Sequence, residues 1–168
     1  SLVLENRWIK NVEIYKLPPH NLLLKVQERT PFLLVSSEKG TPLLVDEEGY
    51  VIENPSQMSG LPSLSLPSLK MRENGRLAIP FFQEIKEILA QLSETPIKIE
   101  NISLSPDDEI HIFTKGGVEI IIGKPNDLFQ KLFILKALWQ KMPNAEKRLL
   151  YVNLSCVSAP AIMERENK

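Results

Sequence analysis

The order of periodic segments between residues 97 and 156 constrains the fold more than any other feature of the sequence. Three stretches alternate apolar and polar side chains with the period of two expected of β-strands: 97–104, 109–114 and 118–122. An apolar stripe at helical spacing follows over 128–142, with Asn126 and Asp127 predicted as its N-cap, and another alternating stretch, 149–156, ends the series. Because each segment has one apolar face, this order predicts an α+β sheet covered by helices.

Two β-hairpins are predicted in the first third of the chain. Alternating residues on both sides of a Pro-containing turn at 17–21 predict the first hairpin over 12–26. Short apolar stretches at 32–36 and 42–45, followed by an acidic turn that leads into residues 50–52, predict the second. An isolated hairpin is marginally stable in water, so we expect the first one to need a further layer to pack on.

The stretch between the second hairpin and the three strands contains one helix. Apolar residues spaced by three and four from Ala78 to Leu92 predict an amphipathic helix with Pro80 in its first turn. Residues 53–74, rich in Pro and Ser, are predicted to form an irregular connection. A change of apolar phase near Glu100 and Asn101 predicts a β-bulge in the strand that follows.

Composition argues against several classes of partner. The 20 basic and 21 acidic residues nearly balance, so no net field attracts nucleic acid or an anionic membrane. The sequence has no apolar run of about 18 residues that would span a bilayer. The chain opens with Ser1, and we expect it to be cut from a longer protein.

Neither a metal site nor a cofactor site is predicted. The single cysteine, Cys156, cannot form an internal disulfide, and we interpret it as a small apolar residue on the inner face of a strand. His20 and His111 are far apart and lack further ligands at metal-binding spacing.

The sequence also lacks the motifs of an enzyme. Walker spacing and a Gly-x-Ser-x-Gly elbow are absent, and paired carboxylates such as Asp107–Asp108 lie in predicted turns. We therefore predict that the protein is not an enzyme and binds no small-molecule substrate. A hydrolase remains an alternative that would require a pocket combining His111 with a serine and a carboxylate.

The alternating stretch at 149–156 is predicted to be the last strand of the sheet. We expect nothing further along the chain to pair with it. Unless an earlier strand lies outside it, one of its sides is therefore predicted to be an open edge. An open edge can bind a strand from another protein through main-chain hydrogen bonds.

A series of motifs resembles the bacterial FtsQ/DivIB family. The series contains Trp-Ile-x-x-Val-x-Ile at 8–14, Glu-Arg-Thr-Pro at 28–31, and Leu-Val-Asp-Glu-Glu-Gly at 44–49. It continues with Leu-Pro-x-Leu at 61–64 and Tyr-Val-Asn-Leu at 151–154, where the family has an acidic residue followed by Leu-Arg. These motifs cover nearly the whole chain, and they are specific through their combined order and spacing.

This resemblance implies a partial POTRA hairpin followed by a mostly antiparallel β-sheet domain covered by two helices. Residues 1–31 would be the C-terminal part of a POTRA domain, 32–163 an FtsQ-type β domain, and 164–168 a charged tail. The implied function is that of a non-enzymatic scaffold of the divisome, which recruits septal cell-division partners. A single-pass anchor in the cell membrane would hold this region on the extracytoplasmic (periplasmic) side at the division septum.

The partners implied by the resemblance are FtsB and FtsL family proteins, with a partner strand adding to the C-terminal edge strand. By position, this site falls on the stretch from Leu149 to Ile162. The predicted partner-binding residues are Leu149, Tyr151, Asn153, Ser155, Val157, Ser158 and Ile162. Main-chain groups of Tyr151, Asn153, Ser155 and Val157 are expected to provide the hydrogen bonds.

One alternative function belongs to a different class. A POTRA-containing component of an outer-membrane assembly or secretion apparatus would use the first hairpin to guide unfolded substrates. Tandem POTRA repeats or a downstream barrel would favour this alternative, and the sequence contains neither.

Overall fold

The computed structural model describes residues 6–37, 40–52 and 60–165. In these ranges the chain forms ten strands and three helices. In chain order they are β1 (Ile9–Leu17), β2 (Asn21–Glu28), β3 (Pro31–Ser37), β4 (Leu43–Asp46), β5 (Ser63–Leu66), α1 (Phe82–Ser93), β6 (Ile99–Leu104), β7 (Ile110–Thr114), β8 (Glu119–Gly123), α2 (Leu128–Lys141), α3 (Ala145–Arg148), β9 (Leu149–Asn153) and β10 (Ala161–Glu164).

The strands form one small ribbon and one large sheet. β1 and β2 pair with each other in an antiparallel hairpin, as predicted. The other eight strands form a sheet in the order β10-β9-β8-β7-β6-β5-β3-β4. Three of its neighbouring pairs are parallel, namely β3–β5, β5–β6 and β8–β9, and the other four are antiparallel. The predicted α+β class with a mostly antiparallel sheet is confirmed.

Both long helices lie on the same face of this sheet. α1 connects the parallel neighbours β5 and β6, and α2 connects the parallel neighbours β8 and β9. Since such crossovers are right-handed and run in the same direction here, the two helices pack side by side on one face. Their buried residues include Ile88 and Leu92 of α1 and Leu132 and Leu135 of α2. The prediction of a sheet covered by two helices is confirmed.

The core lies between these helices and the covered face of the sheet. Buried side chains recur across neighbouring strands at paired positions, so that Leu64 pairs with Ile102, Ile102 with Ile112, and Ile112 with Ile120. These four residues have no solvent-accessible surface. Such continuous burial fixes the register of the strands, because a shift by one residue would turn every apolar side chain to the opposite face.

The prediction of an irregular connection over 53–74 is wrong in its second half. Residues 63–66 form β5, which pairs in parallel with β3 on one side and with β6 on the other. Leu64 and Leu66 are buried, while the Ser63 and Ser65 hydroxyls lie within hydrogen-bonding distance of the Asn101 side chain. The prolines at 62 and 67 flank the strand instead of interrupting it. Residues 53–59 lie outside the described ranges.

Helix starts differ from the predictions in detail. α1 begins at Phe82, after Phe81 in a left-handed conformation (φ 51°), so Pro80 precedes the helix instead of lying in its first turn. Asp127 is the N-cap residue of α2, as predicted, but it is left-handed (φ 55°) and its side chain makes no capping hydrogen bond. The predicted bulge is confirmed by a register shift between Ile99 and Asn101.

A buried ion pair joins the hairpin to the sheet. The Arg29 guanidinium donates to Asp46 Oδ2 at 2.6 Å, and both side chains are largely buried. Asp46 Oδ1 accepts hydrogen bonds from the main-chain N–H groups of Glu48 and Tyr50, both at 2.9 Å, which closes the turn after β4. The guanidinium also lies 3.9 Å from the centre of the Tyr50 ring. These contacts give the Glu-Arg-Thr-Pro and Leu-Val-Asp motifs a shared structural role.

The hairpin itself buries little of its apolar surface. Every residue of β2 is exposed, and β1 contains only two partly buried residues. Large apolar side chains of this ribbon are therefore in water, including Ile14, Leu22 and Leu24, whose exposed fractions are 61%, 65% and 52%. The expectation that this hairpin needs another layer stays a prediction.

Candidate partner-binding edge

β9 is not the edge of the sheet, contrary to the prediction from the sequence. Its parallel neighbour is β8, and β10 pairs with its other side in antiparallel fashion. Asn153 is opposite Ala161, Val152 is opposite Ile162, and Tyr151 is opposite Met163. The edge that the sequence predicts at 149–156 is thus formed by β10 instead.

The directions of the main-chain N–H and C=O groups show which neighbouring strand each β9 residue is hydrogen-bonded to. The Leu154 N–H donates to the Ile121 carbonyl oxygen of β8 at 2.7 Å. Because N–H and C=O directions alternate along a strand, Val152 also faces β8, whereas Tyr151 and Asn153 face β10. The expectation that Tyr151 and Asn153 offer free main-chain groups to a partner is therefore wrong. Leu149 is fully buried, so its side chain has no surface for a partner.

Of the other predicted residues, Ile162 lies in β10, and Ser155, Val157 and Ser158 lie in the loop between β9 and β10. The Ser155 N–H and hydroxyl both donate to Asn153 Oδ1, at 2.9 and 2.7 Å. Val157 is half-buried and Ser158 is exposed. Cys156 is exposed in this loop, so the interpretation of an inward-facing strand residue is wrong. Its Sγ lies 3.1 Å from Ser158 Oγ, and this hydrogen bond lowers the pKa of the Cys156 thiol.

The end of β8 packs closely against this loop. Gly123 has φ +69°, and a Cβ atom added there would lie 2.8 Å from the Cβ atom of Ser155. A larger residue at Gly123 would therefore push the loop away from the sheet as well as strain the turn. Lys131 of α2 is fully buried nearby, and its ammonium group donates to the carbonyl oxygens of Ile122 and Lys124 at 2.9 and 2.8 Å.

Among the residues that the structure describes, no strand pairs with the outer side of β10, so β10 is the open edge at this end of the sheet. Since Tyr151 and Asn153 face β10, their partners Met163 and Ala161 face inward, and the N–H and C=O groups of Ile162 face outward. All four residues of β10 are exposed. The Ile162 side chain shares a face with buried Val152, and Met163 shares the opposite face with half-buried Tyr151. A strand that added here would find main-chain groups and an apolar side chain on each face.

Two arginines hold the end of β10. Arg148 forms an ion pair with Glu164, with 3.1 Å between the guanidinium and each carboxylate oxygen. The Arg165 N–H donates to the Arg148 carbonyl oxygen at 2.7 Å. Both contacts fix the C-terminal end of the edge strand to the start of β9.

β10 is too short to be recognised from the sequence. Four residues give no measurable alternation, and Glu164 had been assigned to a charged tail. A usable signal was present in the loop, where Ser155, Ser158 and Pro160 break the apolar pattern before Ile162 and Met163 resume it. Of the predicted partner-binding residues, Ile162 is the one that lies on the open edge.

His111 lies on the sheet face opposite the helices and does not form the arrangement required of a hydrolase. Its Nδ1 is 2.9 Å from Glu119 Oε1, and its Nε2 is 3.9 Å from Glu109 Oε2. Both ring nitrogens thus face carboxylates, and within the described residues the imidazole makes no hydrogen bond to a serine hydroxyl. In the same ranges, no group of three or more His, Cys, Asp or Glu residues is arranged to hold a metal ion.

Comparison with known proteins decides the family. The profile described as "Cell division protein FtsQ/DivIB, C-terminal" matches residues 34–155, which is well over half of the chain. The chain belongs to the FtsQ/DivIB family. The match begins within β3, includes β4 to β9 and ends at Ser155, in the loop that leads to β10.

Two curated relatives carry the names of this family. The cell division protein DivIB of Clostridium acetobutylicum is 25% identical over 136 residues, which cover 77% of this chain and 54% of the relative. The cell division protein FtsQ of Streptomyces collinus is 27% identical over 160 residues, covering 91% of this chain and 59% of the relative. The aligned part of the chain thus spans little more than half the length of either relative.

Membership of the FtsQ/DivIB family implies a role in cell division. The family is non-catalytic and its members are membrane-anchored division proteins. Within residues 6–37, 40–52 and 60–165, no helix is both long and apolar enough to cross a bilayer.

Proposed function

We propose that this FtsQ/DivIB chain is a divisome scaffold that binds the extracytoplasmic parts of FtsB and FtsL by strand addition to β10. The observation that carries the proposal is the position of β10 at the end of an eight-stranded sheet, with its outer side open. Strand addition needs a row of free N–H and C=O groups, and an edge strand provides them.

The side chains of β10 suit a strand partner. Ile162 and Met163 are exposed to 45% and 48% and point to opposite faces of the sheet. A partner strand with apolar residues at neighbouring positions would cover both of them, and cross-strand pairs of this kind stabilise a sheet by about 0.2–1 kcal/mol each. Ser155, Val157 and Ser158 in the preceding loop are proposed to contact the partner beyond the end of the added strand.

The proposal extends to the domain organisation and the location of the chain. Residues 1–31 would belong to a POTRA domain and the residues from 32 onward to the β domain. Because Glu164 lies in β10, the β domain extends beyond the predicted boundary at 163. The separate β1–β2 ribbon with its exposed apolar side chains supports this division. A single-pass anchor would hold the region on the extracytoplasmic side of the membrane at the septum.

A pair of proline substitutions tests the edge directly. Proline at Ile162 removes an N–H that faces outward, while proline at Met163 removes one that faces β9. Binding of the extracytoplasmic segments of FtsB and FtsL would be measured by calorimetry for wild type, Ile162→Pro and Met163→Pro. Circular dichroism and urea unfolding would be recorded for all three proteins.

The expected result separates binding from folding. Ile162→Pro should keep the stability of the wild type and lose binding, because the partner ladder has lost its donor and the proline ring obstructs the approach. Met163→Pro should weaken the β9–β10 ladder and lower both stability and binding. Wild-type affinity in folded Ile162→Pro would refute strand addition at this edge.

A further inference from the structure

The Arg165 side chain joins three segments of the chain at the end of the edge strand. Its Nε donates to the Leu149 carbonyl oxygen at 2.9 Å, and its Nη2 donates to the carbonyl oxygens of Gly116 and Gly117, both at 2.9 Å. Its main-chain N–H donates to Arg148, as described above. One residue thus ties β10 to the start of β9 and to the turn between β7 and β8.

The turn that receives Arg165 is shaped for this contact. Gly117 has φ +75°, and a Cβ atom added there would lie 3.1 Å from Arg165 Nη2. At Gly116, an added Cβ atom would lie 2.7 Å from the Cβ atom of Glu146 in α3. Both positions therefore favour glycine, which lets two successive carbonyl oxygens approach the same guanidinium nitrogen.

β10 has little else to keep it ordered. It contains four residues, all of them exposed, so it buries little apolar surface against the core. Strands with few buried contacts open locally at low free-energy cost. The fixed hydrogen bonds at its C-terminal end, from Arg165 and the Arg148–Glu164 pair, offset this weakness.

We propose that Arg165 is a positioning residue that holds β10 in the strand conformation that a partner strand requires. This inference rests on the proposed function of β10. Arg165 does not have to touch the partner: it raises the fraction of molecules whose edge is already formed. The apparent dissociation constant of a ligand rises in proportion as the binding-competent fraction falls.

Arginine is required here for geometric reasons. The planar guanidinium presents donors in fixed directions and reaches carbonyl oxygens of two different segments at once. A lysine at 165 would keep the positive charge with a single ammonium group at the end of a flexible stem, and would lose at least one of the two connections. Arg165→Lys is therefore expected to behave like Arg165→Met.

Amide hydrogen exchange and partner binding, measured on the same proteins, test this inference. The variants are Arg165→Met, Arg165→Lys and the control Arg72→Met, which removes an exposed arginine remote from β10. Exchange would be followed at Tyr151, Asn153 and Met163, whose N–H groups lie in the β9–β10 ladder. Binding would be measured with the same FtsB and FtsL segments.

Both Arg165 variants should speed exchange in the β9–β10 ladder by about tenfold, as loss of hydrogen bonds to a charged group predicts. Amides of β6 and β7 should keep their wild-type rates, which establishes that the sheet is intact. The exchange rates also give the fraction of molecules in which β10 is paired with β9. In a variant where this fraction is below one half, the dissociation constant should rise in inverse proportion to it. Arg72→Met should change neither quantity.

Two outcomes would overturn the inference, and they differ from failure of the proposed function. Wild-type exchange in Arg165→Met would refute the fastening role, whatever the partner does. Faster exchange from a mostly open β10 with unchanged affinity would refute the positioning role. If wild type binds neither segment while Arg165 still controls exchange, strand addition is wrong and the role in binding fails with it.

Discussion

Lys131 is a buried lysine whose ammonium group is bonded to main-chain carbonyl oxygens. Its ammonium group has no solvent-accessible surface and donates to two carbonyl oxygens at the end of β8. Burial is the main cause that lowers the pKa of Lys131 below its ordinary value of 10.5. The same contacts join α2 to the turn that supports the loop before β10.

The lowered pKa predicts how stability depends on pH. Between the folded pKa and 10.5, the unfolded chain retains the Lys131 proton and the folded chain has released it. The free energy of unfolding contributed by this residue therefore rises with pH in that window. Urea unfolding would be measured from neutral pH to about 10.5 for wild type and Lys131→Met. The free energy of unfolding of wild type should rise relative to that of the variant as pH increases, since the titrations of all other groups cancel in the comparison. A difference independent of pH would contradict this prediction.

The Arg29–Asp46 pair is predicted to contribute strongly to stability. Asp46→Asn keeps an oxygen for the turn but leaves the buried Arg29 guanidinium without its counter-charge. Removing one partner of a buried ion pair costs about 3–5 kcal/mol. Chemical unfolding of Asp46→Asn, Arg29→Met and the double variant would measure it. Effects that simply add would mean that the two side chains are not coupled.

At the scale of elements, β5 is an interior strand that pairs in parallel with β3 on one side and β6 on the other. It is third from the β4 edge of the sheet, and Leu64 is fully buried between its two neighbours. Leu64→Ala should therefore destabilise the protein by about 2–5 kcal/mol. The matched change Leu22→Ala, at a residue exposed to 65%, should stay within about 0.5 kcal/mol. Equal effects at the two positions would contradict the interior position of β5.

Elements with clear periodicity or strong flanking turn signals could be predicted from the sequence, whereas β5 and β10 could not. α2 shows its apolar stripe over four turns, and β6 to β8 alternate between strong turn signals, so both were recognised. β5 has a Ser-Leu-Ser-Leu pattern between prolines, and its serines pack through hydroxyl contacts with Asn101 that no local pattern reveals. β10 has only two large apolar residues, and its pairing depends on Arg165 reaching a turn 48 residues away.

The candidate site could likewise be predicted only in part from the sequence. The sequence predicted a sheet edge within 149–162, and Ile162 of that range lies on the open edge. The choice between β9 and β10 as the edge required the register of a four-residue strand, which is a tertiary property. Leu149 shows this limit clearly, because the sequence predicts that it contacts a partner and the structure buries it completely.

For the whole molecule, the exposed hairpin predicts self-association of the isolated chain. Ile14, Leu22 and Leu24 lie on one face of the β1–β2 ribbon and are more than half exposed. Contiguous apolar surface of this kind drives association. Sedimentation velocity should show concentration-dependent dimers that diminish in the double variant Leu22→Thr, Leu24→Thr, with the unfolding of the large sheet unchanged. Equal dimer content in the two proteins would contradict the prediction.

The strand order also sets a distance. The chain passes from the hairpin into β3, beside β4 at one edge, and β10 is the opposite edge. Seven intervals of about 4.8 Å separate β4 from β10, or about 33 Å across the sheet. Twist of about 20–25° per strand rotates one edge by nearly half a turn relative to the other. The sheet is thus a rigid spacer. A protein that bound at β10, as proposed, would be held at a fixed distance and orientation relative to β4, whose turn the Arg29–Asp46 pair joins to the hairpin.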